Sequence, residues 1–191
     1  MPYAVVMQID EATAPRIARL WEVLAERDAN GLVKFSDEQV RFNYPPHVTL
    51  AVVDDTADPN TVVEMLKPIV AGWTPLHVSF DSIAVLPRKP VVPMLARPNV
   101  TAEFLKLNRE VCDRLPPDSV KSYHRPGVWQ PHVTLARDIL PEKCGSALAS
   151  VLEKWSGFDT TLDRVALIYF RQEGKNWHVK ELWRAELTCA S

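Results

Sequence analysis

The 191-residue chain is poor in glycine, with six, and none falls in the G-x-G-x-x-G or G-x-x-x-x-G-K-[ST] spacing that wraps backbone around a phosphate. Nucleotide chemistry on this chain therefore has to come from side chains. Cysteine is scarcer still: Cys112, Cys144 and Cys189 are odd in number and far apart, with no C-x-x-C pair. That excludes a disulfide framework and a zinc ribbon and fits a reducing, cytoplasmic setting. The longest uninterrupted apolar run, Val165 to Phe170, is far below the ~18 residues that span a bilayer. No secretory pattern opens the chain, so no membrane partner is expected. With 22 Lys and Arg against 24 Asp and Glu the net charge is −2, which argues against coating long duplex nucleic acid while leaving room for a local basic pocket. The 47% apolar and 24% charged content excludes disorder and collagen.

What is present is a repeat. Pro46-His47-Val48-Thr49-Leu50-Ala51 recurs unchanged 85 residues later as Pro131-His132-Val133-Thr134-Leu135-Ala136. Chance predicts such a coincidence ~10⁻³ times in a chain of this length, so the repeat calls for duplication or for convergence on one chemistry. The surroundings repeat in outline. Tyr3 to Ile9 reads as a buried strand, and Ile17, Leu20, Trp21 and Leu24 have helical spacing up to a stop near Gly31. In the second half Val91 to Arg97 reads as a proline-interrupted strand, expected at a sheet edge because proline cannot donate to a ladder. Phe104, Leu107 and Val111 then mark a helix.

An irregular stretch precedes each hexapeptide and a helix follows each. The first of these helices runs from Asn60 to Pro68, where the proline should end or kink it. The second runs from Pro141 to Lys154 with Leu148, Val151 and Leu152 inward. Strands follow at Leu76 to Leu86 and Thr160 to Phe170, the latter turning through Gln172 to Asn176, with Gly174, into Trp177 to Leu187. The reading is an α+β protein, a single unit of two similar lobes, about residues 1–88 and 89–191, divided near Pro87 to Pro90.

Side chains alternate across a strand, so His47 and Thr49 share one face and Val48 and Leu50 the other, and the same holds for His132 and Thr134 against Val133 and Leu135. A pseudo-two-fold relation between the lobes would bring two imidazoles and two hydroxyls to one ligand. One neutral and one protonated histidine serve as base and acid near neutral pH. Thr49 and Thr134 would donate to non-bridging phosphate oxygens, which suits in-line displacement at phosphorus. Taken alone, one such strand reads more plainly as a half-buried histidine bonded to a neighbour; the duplication is what favours chemistry.

Of the other histidines, His77 and His178 read as surface strand positions, and His124 lies in the loop before the second motif, within reach of substrate. The acidic pairs Asp37-Glu38 and Asp54-Asp55 read as solvated, and neither H-E-x-x-H nor clustered cysteine suggests a metal site. No cofactor is expected. Both loops before the motifs carry aromatic rings, Phe42 and Tyr44 in the first and Tyr123 and Trp129 in the second, suited either to stacking on a base or to pinning the loops to the core. Two acid-free stretches, Ser82 to Ala102 with Arg88, Lys89 and Arg97, and Ser119 to Arg137 with Lys121, Arg125 and Arg137, suit an anionic ligand as well as a solvated surface.

Two H-x-[ST]-hydrophobic motifs, one per half, resemble those of the 2H phosphoesterase superfamily, in its 2′-5′ RNA ligase and cyclic phosphodiesterase-like branch. The resemblance implies a bilobal, pseudo-symmetric fold whose antiparallel sheets form a central cleft with helices outside. It also implies metal-independent opening or exchange of 2′,3′-cyclic phosphates or 2′-5′ linkages on nucleotides or RNA ends. His47, Thr49, His132 and Thr134 match the family's catalytic motifs, and Tyr169-Phe170-Arg171 is similar to its closing hairpin, where Arg171 would face the cleft. Ala51-Val52-Val53-Asp54-Asp55 departs from the aromatic-Leu-Gly expected after the first motif. The protein is expected to act as a monomer on a nucleotide or RNA-end phosphoester. The alternatives are a non-catalytic module that binds such ligands in the same cleft, and an interaction domain whose repeat records duplication alone.

Overall fold

Asp10, Asp58 and Thr101 each place a side-chain oxygen on a backbone N–H three residues on, at Thr13 (2.8 Å), Thr61 (2.9 Å) and Phe104 (3.2 Å), and a helix begins at each place. The computed structural model describes residues 2–26, 45–54, 57–87, 90–173 and 176–189, without the side chains of 138 and 171–178. In it these helices are α1 (Ala14–Glu26), α2 (Pro59–Val70) and α3 (Ala102–Arg114), and a fourth, α4 (Cys144–Leu152), follows a 3-10 turn at Pro141–Lys143. Ile17, Leu20, Trp21 and Leu24 of α1 and Phe104, Leu107 and Val111 of α3 are buried, as their spacing requires.

α2 ends at Val70, two residues past the Pro68 expected to end or kink it; a proline in the last turn removes one N–H from a helix whose final residue, Val70, is anchored in the core. One helix expectation is corrected. On α4, Leu152 is 54% exposed; Ala147 and Val151, one turn apart, take the inward positions and Leu148 packs beside them.

The strands are β1 (Tyr3–Ile9), β2 (His47–Val53), β3 (Leu76–Val85), β4 (Val92–Pro98), β5 (Val133–Ile139), β6 (Phe158–Glu173) and β7 (Asn176–Glu186). All pairings are antiparallel, in the order β2-β1-β6-β3-β4-β5, with β7 also on β6. β6 is shared: Leu162 pairs with both Ile9 and Leu76, and Arg164 with both Gln8 and Glu186, so β1 runs along one edge while β3 and β7 divide the other. A strand from the first half of the chain thereby joins β4 and β5, and strands from the second half complete β1 and β2. β4 lies inside the sheet, between β3 and β5, and not at an edge as its prolines suggested. Pro93 falls where the β4–β5 register shifts between Val92 and Met94, and that irregularity takes the place of the missing N–H.

One face of the sheet meets the helices and holds the main core, including Val5, Met7, Leu50, Phe80, Met94 and Leu135. The other face carries a smaller apolar floor of Ala4, Val6, Val52, Ala166 and Ile168. The two halves match residue for residue along their ladders. Met7↔Val48 and Val6↔Thr49 in the first correspond to Ala96↔Val133 and Leu95↔Thr134 in the second, giving an α+β fold whose two motif ladders are related pseudo-symmetrically.

Candidate active site

Each hexapeptide strand contains the same bulge. Between β1 and β2, Val6 pairs with Thr49 but Val5 with Ala51, so Leu50 is the extra residue; between β4 and β5, Leu95 pairs with Thr134 but Met94 with Ala136, so Leu135 is. The bulge breaks the simple alternation. Leu50 and Ala51 both turn to the core, as do Leu135 and Ala136, while His47, Thr49 and Val52 share the opposite face. Two consecutive apolar residues thus anchor each strand directly behind its polar pair. Burial of a leucine is worth ~1.5–3 kcal/mol, which makes Leu50 and Leu135 firm anchors.

β2 and β5 end the sheet order, yet they approach within 8 Å between Cα atoms, so the sheet curls until the two motif strands meet. Groups from elsewhere in the chain satisfy their outer carbonyls. Trp129 Nε1 donates to Thr49 O at 2.9 Å and Trp21 Nε1 to Thr134 O at 3.0 Å, each indole reaching the motif of the other half. Asn108 Nδ2 bridges Leu50 O (2.8 Å) and His124 O (2.9 Å). Backbone bonds from Asp54 N to Ser119 O and from Lys121 N to Val52 O continue the seam, and Lys121 pairs with Asp54 at 2.6 Å, so this acid is an ion-pair partner where the sequence suggested only solvation.

The two histidines are held by one local device. His47 Nδ1 lies 3.1 Å from Pro45 O and His132 Nδ1 2.7 Å from Gln130 O, in each case the carbonyl two residues back. A carbonyl only accepts, so Nδ1 carries the proton and Nε2 is left to take or give one. Burial, helped by the charge of His132 and opposed by the Pro45 bond, pushes His47 down to about 4. It is neutral at pH 7. The hydroxyls of Thr49 and Thr134 have no hydrogen-bond partner among the described residues.

His124 ends a 3-10 turn, Ser122–His124, on the same seam. Its ring is buried with Nδ1 unpartnered, and burial together with the charge of His132 pushes it down to about 4. Tyr123 beside it is 61% exposed, whereas Trp129 is buried edge-on against Phe104 and holds the loop to the motif strand. His77 is an exposed strand residue bonded to Thr161, as expected. Phe42, Tyr44 and the side chain of Arg171 lie outside the described residues, as do Asp37, Glu38, Arg88, Lys89 and the side chain of His178. No group of three or more His, Cys, Asp or Glu among the described residues is placed to hold a metal ion. Sequence reasoning missed Trp21, Asn108 and Gln8. Trp21 reads in sequence only as part of a helix face, and the ladder that sets Gln8 beside His47 is a long-range pairing with no local signal.

The profile of the 2′-5′ RNA ligase superfamily matches residues 9–174. Solved structures with the same fold include the Thermus thermophilus protein TT0787 (13% identity, 98% of each chain, TM-score 0.66) and a phosphoesterase (14% identity, 98% of each chain, TM-score 0.60). Another is E. coli LigT complexed with 3′-AMP (17% identity, 99% of this chain and 100% of that one, TM-score 0.57). No curated relative matches the chain in sequence.

Proposed function

The chain belongs to the 2′-5′ RNA ligase superfamily, and from that membership we propose that it is a metal-independent phosphodiesterase acting on 2′,3′-cyclic phosphates or 2′-5′ linkages of nucleotides or RNA ends. The observation that carries the reading is the matched pair of histidines, each with Nδ1 fixed on the carbonyl two residues back, at the start of two strands that approach within 8 Å of each other. Nucleotide-sized substrates are supported by the LigT structures complexed with 3′-AMP and with ATP, and by the exposed ring of Tyr123 next to the site.

His47, unprotonated above about pH 4, takes the role of base. In hydrolysis of a 2′,3′-cyclic phosphate its Nε2 takes a proton from water as the water oxygen bonds to phosphorus. His132 gives a proton to the ribose oxygen as its bond to phosphorus breaks. Thr49 and Thr134 donate to the non-bridging oxygens, whose negative charge grows in the transition state. Acid and base both come from side chains, so the reaction should be insensitive to chelators.

The test is product analysis with EDTA present, comparing wild type with His47→Ala and His132→Ala on 2′,3′-cyclic nucleotides and 2′-5′-linked dinucleotides. Turnover by wild type alone supports the reading, and the position of the product phosphate identifies the bond opened. Full activity in either mutant refutes the dyad. Ligand binding without turnover across the panel points to a binding module.

A further inference from the structure

The pseudo-two-fold axis is broken beside the histidines. In the first half a row crosses four strands on the face that carries His47: His47 of β2, Gln8 of β1, Arg164 of β6 and Glu186 of β7. In the second half the ladder ends at Ala96↔Val133, the residue after His132; Arg97, the next residue of β4, holds the place that Gln8 holds in β1 and pairs with Ser82 of β3. The equivalence extends to the outer bulges, which skip Asp163 in the first half and Asp81 in the second. The rows therefore read His-Gln-Arg and His-Arg-Ser. Each has one arginine, in a different place.

The two arginines have different surroundings. Arg164 is buried and paired with Glu11 at 3.0 Å and Asp163 at 3.1 Å, with Glu186 4.0 Å away, and it donates to Ile9 O. Arg97 is half-buried on the same face as Leu95 and Thr134, opposite to the core residues Met94 and Ala96. Among the described residues it has no hydrogen bond or ion pair. A guanidinium withdrawn from water without a counter-ion is unfavourable unless an anion joins it, and its planar fork fits two oxygens of a phosphate. On the other side Gln8 is neutral, with Nε2 on Glu181.

We propose that Arg97 is the anion anchor of this site, binding the phosphate of the substrate on the His132 side, while Gln8 keeps the equivalent place beside His47 uncharged. The inference deepens the phosphodiesterase reading and rests on it. It makes two similar half-sites chemically unequal: the phosphate is drawn toward His132, and the His47 side is left for the incoming water. The substrate class it selects is a phosphoester whose reacting phosphate carries an unshielded negative charge.

The experiment titrates inorganic phosphate, 3′-AMP and adenosine into wild type, Arg97→Gln and Arg97→Lys, alongside turnover of 2′,3′-cyclic AMP, with thermal unfolding to verify folding. Arg19→Gln, on the outer helix beside Glu22, controls for loss of a remote positive charge. In Arg97→Gln, phosphate affinity should fall and KM rise by about tenfold or more, with adenosine affinity changed less than about twofold. Arg97→Lys should recover part of this by restoring charge without the fork. Phosphate affinity and KM within twofold of wild type in Arg97→Gln, or no phosphate binding by wild type, overturns the anchor. Phosphate binding that depends on Arg97 without turnover by wild type upholds the anchor and defeats the phosphodiesterase reading; turnover unchanged in Arg97→Gln does the reverse.

Discussion

Trp129 donates its indole N–H to the carbonyl of Thr49 at 2.9 Å, so a loop from the second half of the chain closes the outer edge of the first motif strand. Trp21 makes the counterpart bond to Thr134 at 3.0 Å. Trp129→Phe keeps the ring against Phe104 but leaves that carbonyl without its donor. An unsatisfied buried acceptor costs ~1–3 kcal/mol, and the lost bond no longer fixes the strand that carries His47 and Thr49. Urea unfolding should show a destabilisation of that size, with reduced kcat on the cyclic nucleotide, and Trp21→Phe should behave alike through the second motif. Unchanged stability in both would mean that the indoles only fill space.

The pair of histidines makes a sharper claim. His47→Ala and His132→Ala should each lower kcat by about 10²–10⁴, the usual range for an acid or base in proton transfer, and the double mutant should fall by less than the product of the two. Because burial holds His47 near 4, the acid limb of the kcat/KM profile should lie well below pH 6.5. A profile whose acid limb sits at 6.5 would mean that His47 is not the group being deprotonated.

The motifs were legible because a strand with a repeated polar pair announces its own faces, and the family resemblance gave the fold. The helix faces of α1 and α3 followed from apolar spacing at Ile17, Leu20, Trp21 and Leu24 and at Phe104, Leu107 and Val111. The bulges at Leu50 and Leu135 were not legible, since His-Val-Thr-Leu-Ala carries no glycine to mark them and only the partner strand reveals the skipped residue. The interior place of β4 was hidden for a related reason: whether Pro93 needs a donor depends on the register of β5, about 45 residues away. Only ladders of that kind set Gln8 opposite His47 and put Arg97 one residue past the partner of Val133.

Thr49→Val and Thr134→Val separate chemistry from folding. Neither hydroxyl has a partner among the described residues, so replacing it with a methyl group leaves no bond broken inside the protein. Stability should stay within about 0.5 kcal/mol of wild type. If the hydroxyls meet the growing charge on phosphate oxygens, kcat should fall by about 10²-fold in each, as for removal of one oxyanion donor. Wild-type kcat in both variants would remove them from the proposed mechanism, and a large loss of stability would show that the hydroxyls serve the fold.

Stability should also depend on pH in a window set by two histidines. His47 and His124 are held near 4 in the folded protein, in both cases first by burial and then by the charge of His132, with the Pro45 bond opposing the shift at His47. The unfolded chain titrates them at ~6.5. Above 6.5 neither state binds the extra proton and stability is full. Between 6.5 and 4 the unfolded state gains protons that the folded state refuses, so stability falls as pH falls, by up to about 2 kcal/mol per histidine at pH 5. Asp10, whose burial is outweighed by hydrogen bonds from Thr161, Thr160 and Thr13, lies below its ordinary value and adds its loss only at lower pH. Urea unfolding at pH 7.5 and pH 5 measures the sum, and His124→Phe, which fills the same space without a titrating nitrogen, should remove about half of the difference. An equal loss in His124→Phe and wild type would mean that His124 protonates as readily in the folded protein as in the unfolded chain.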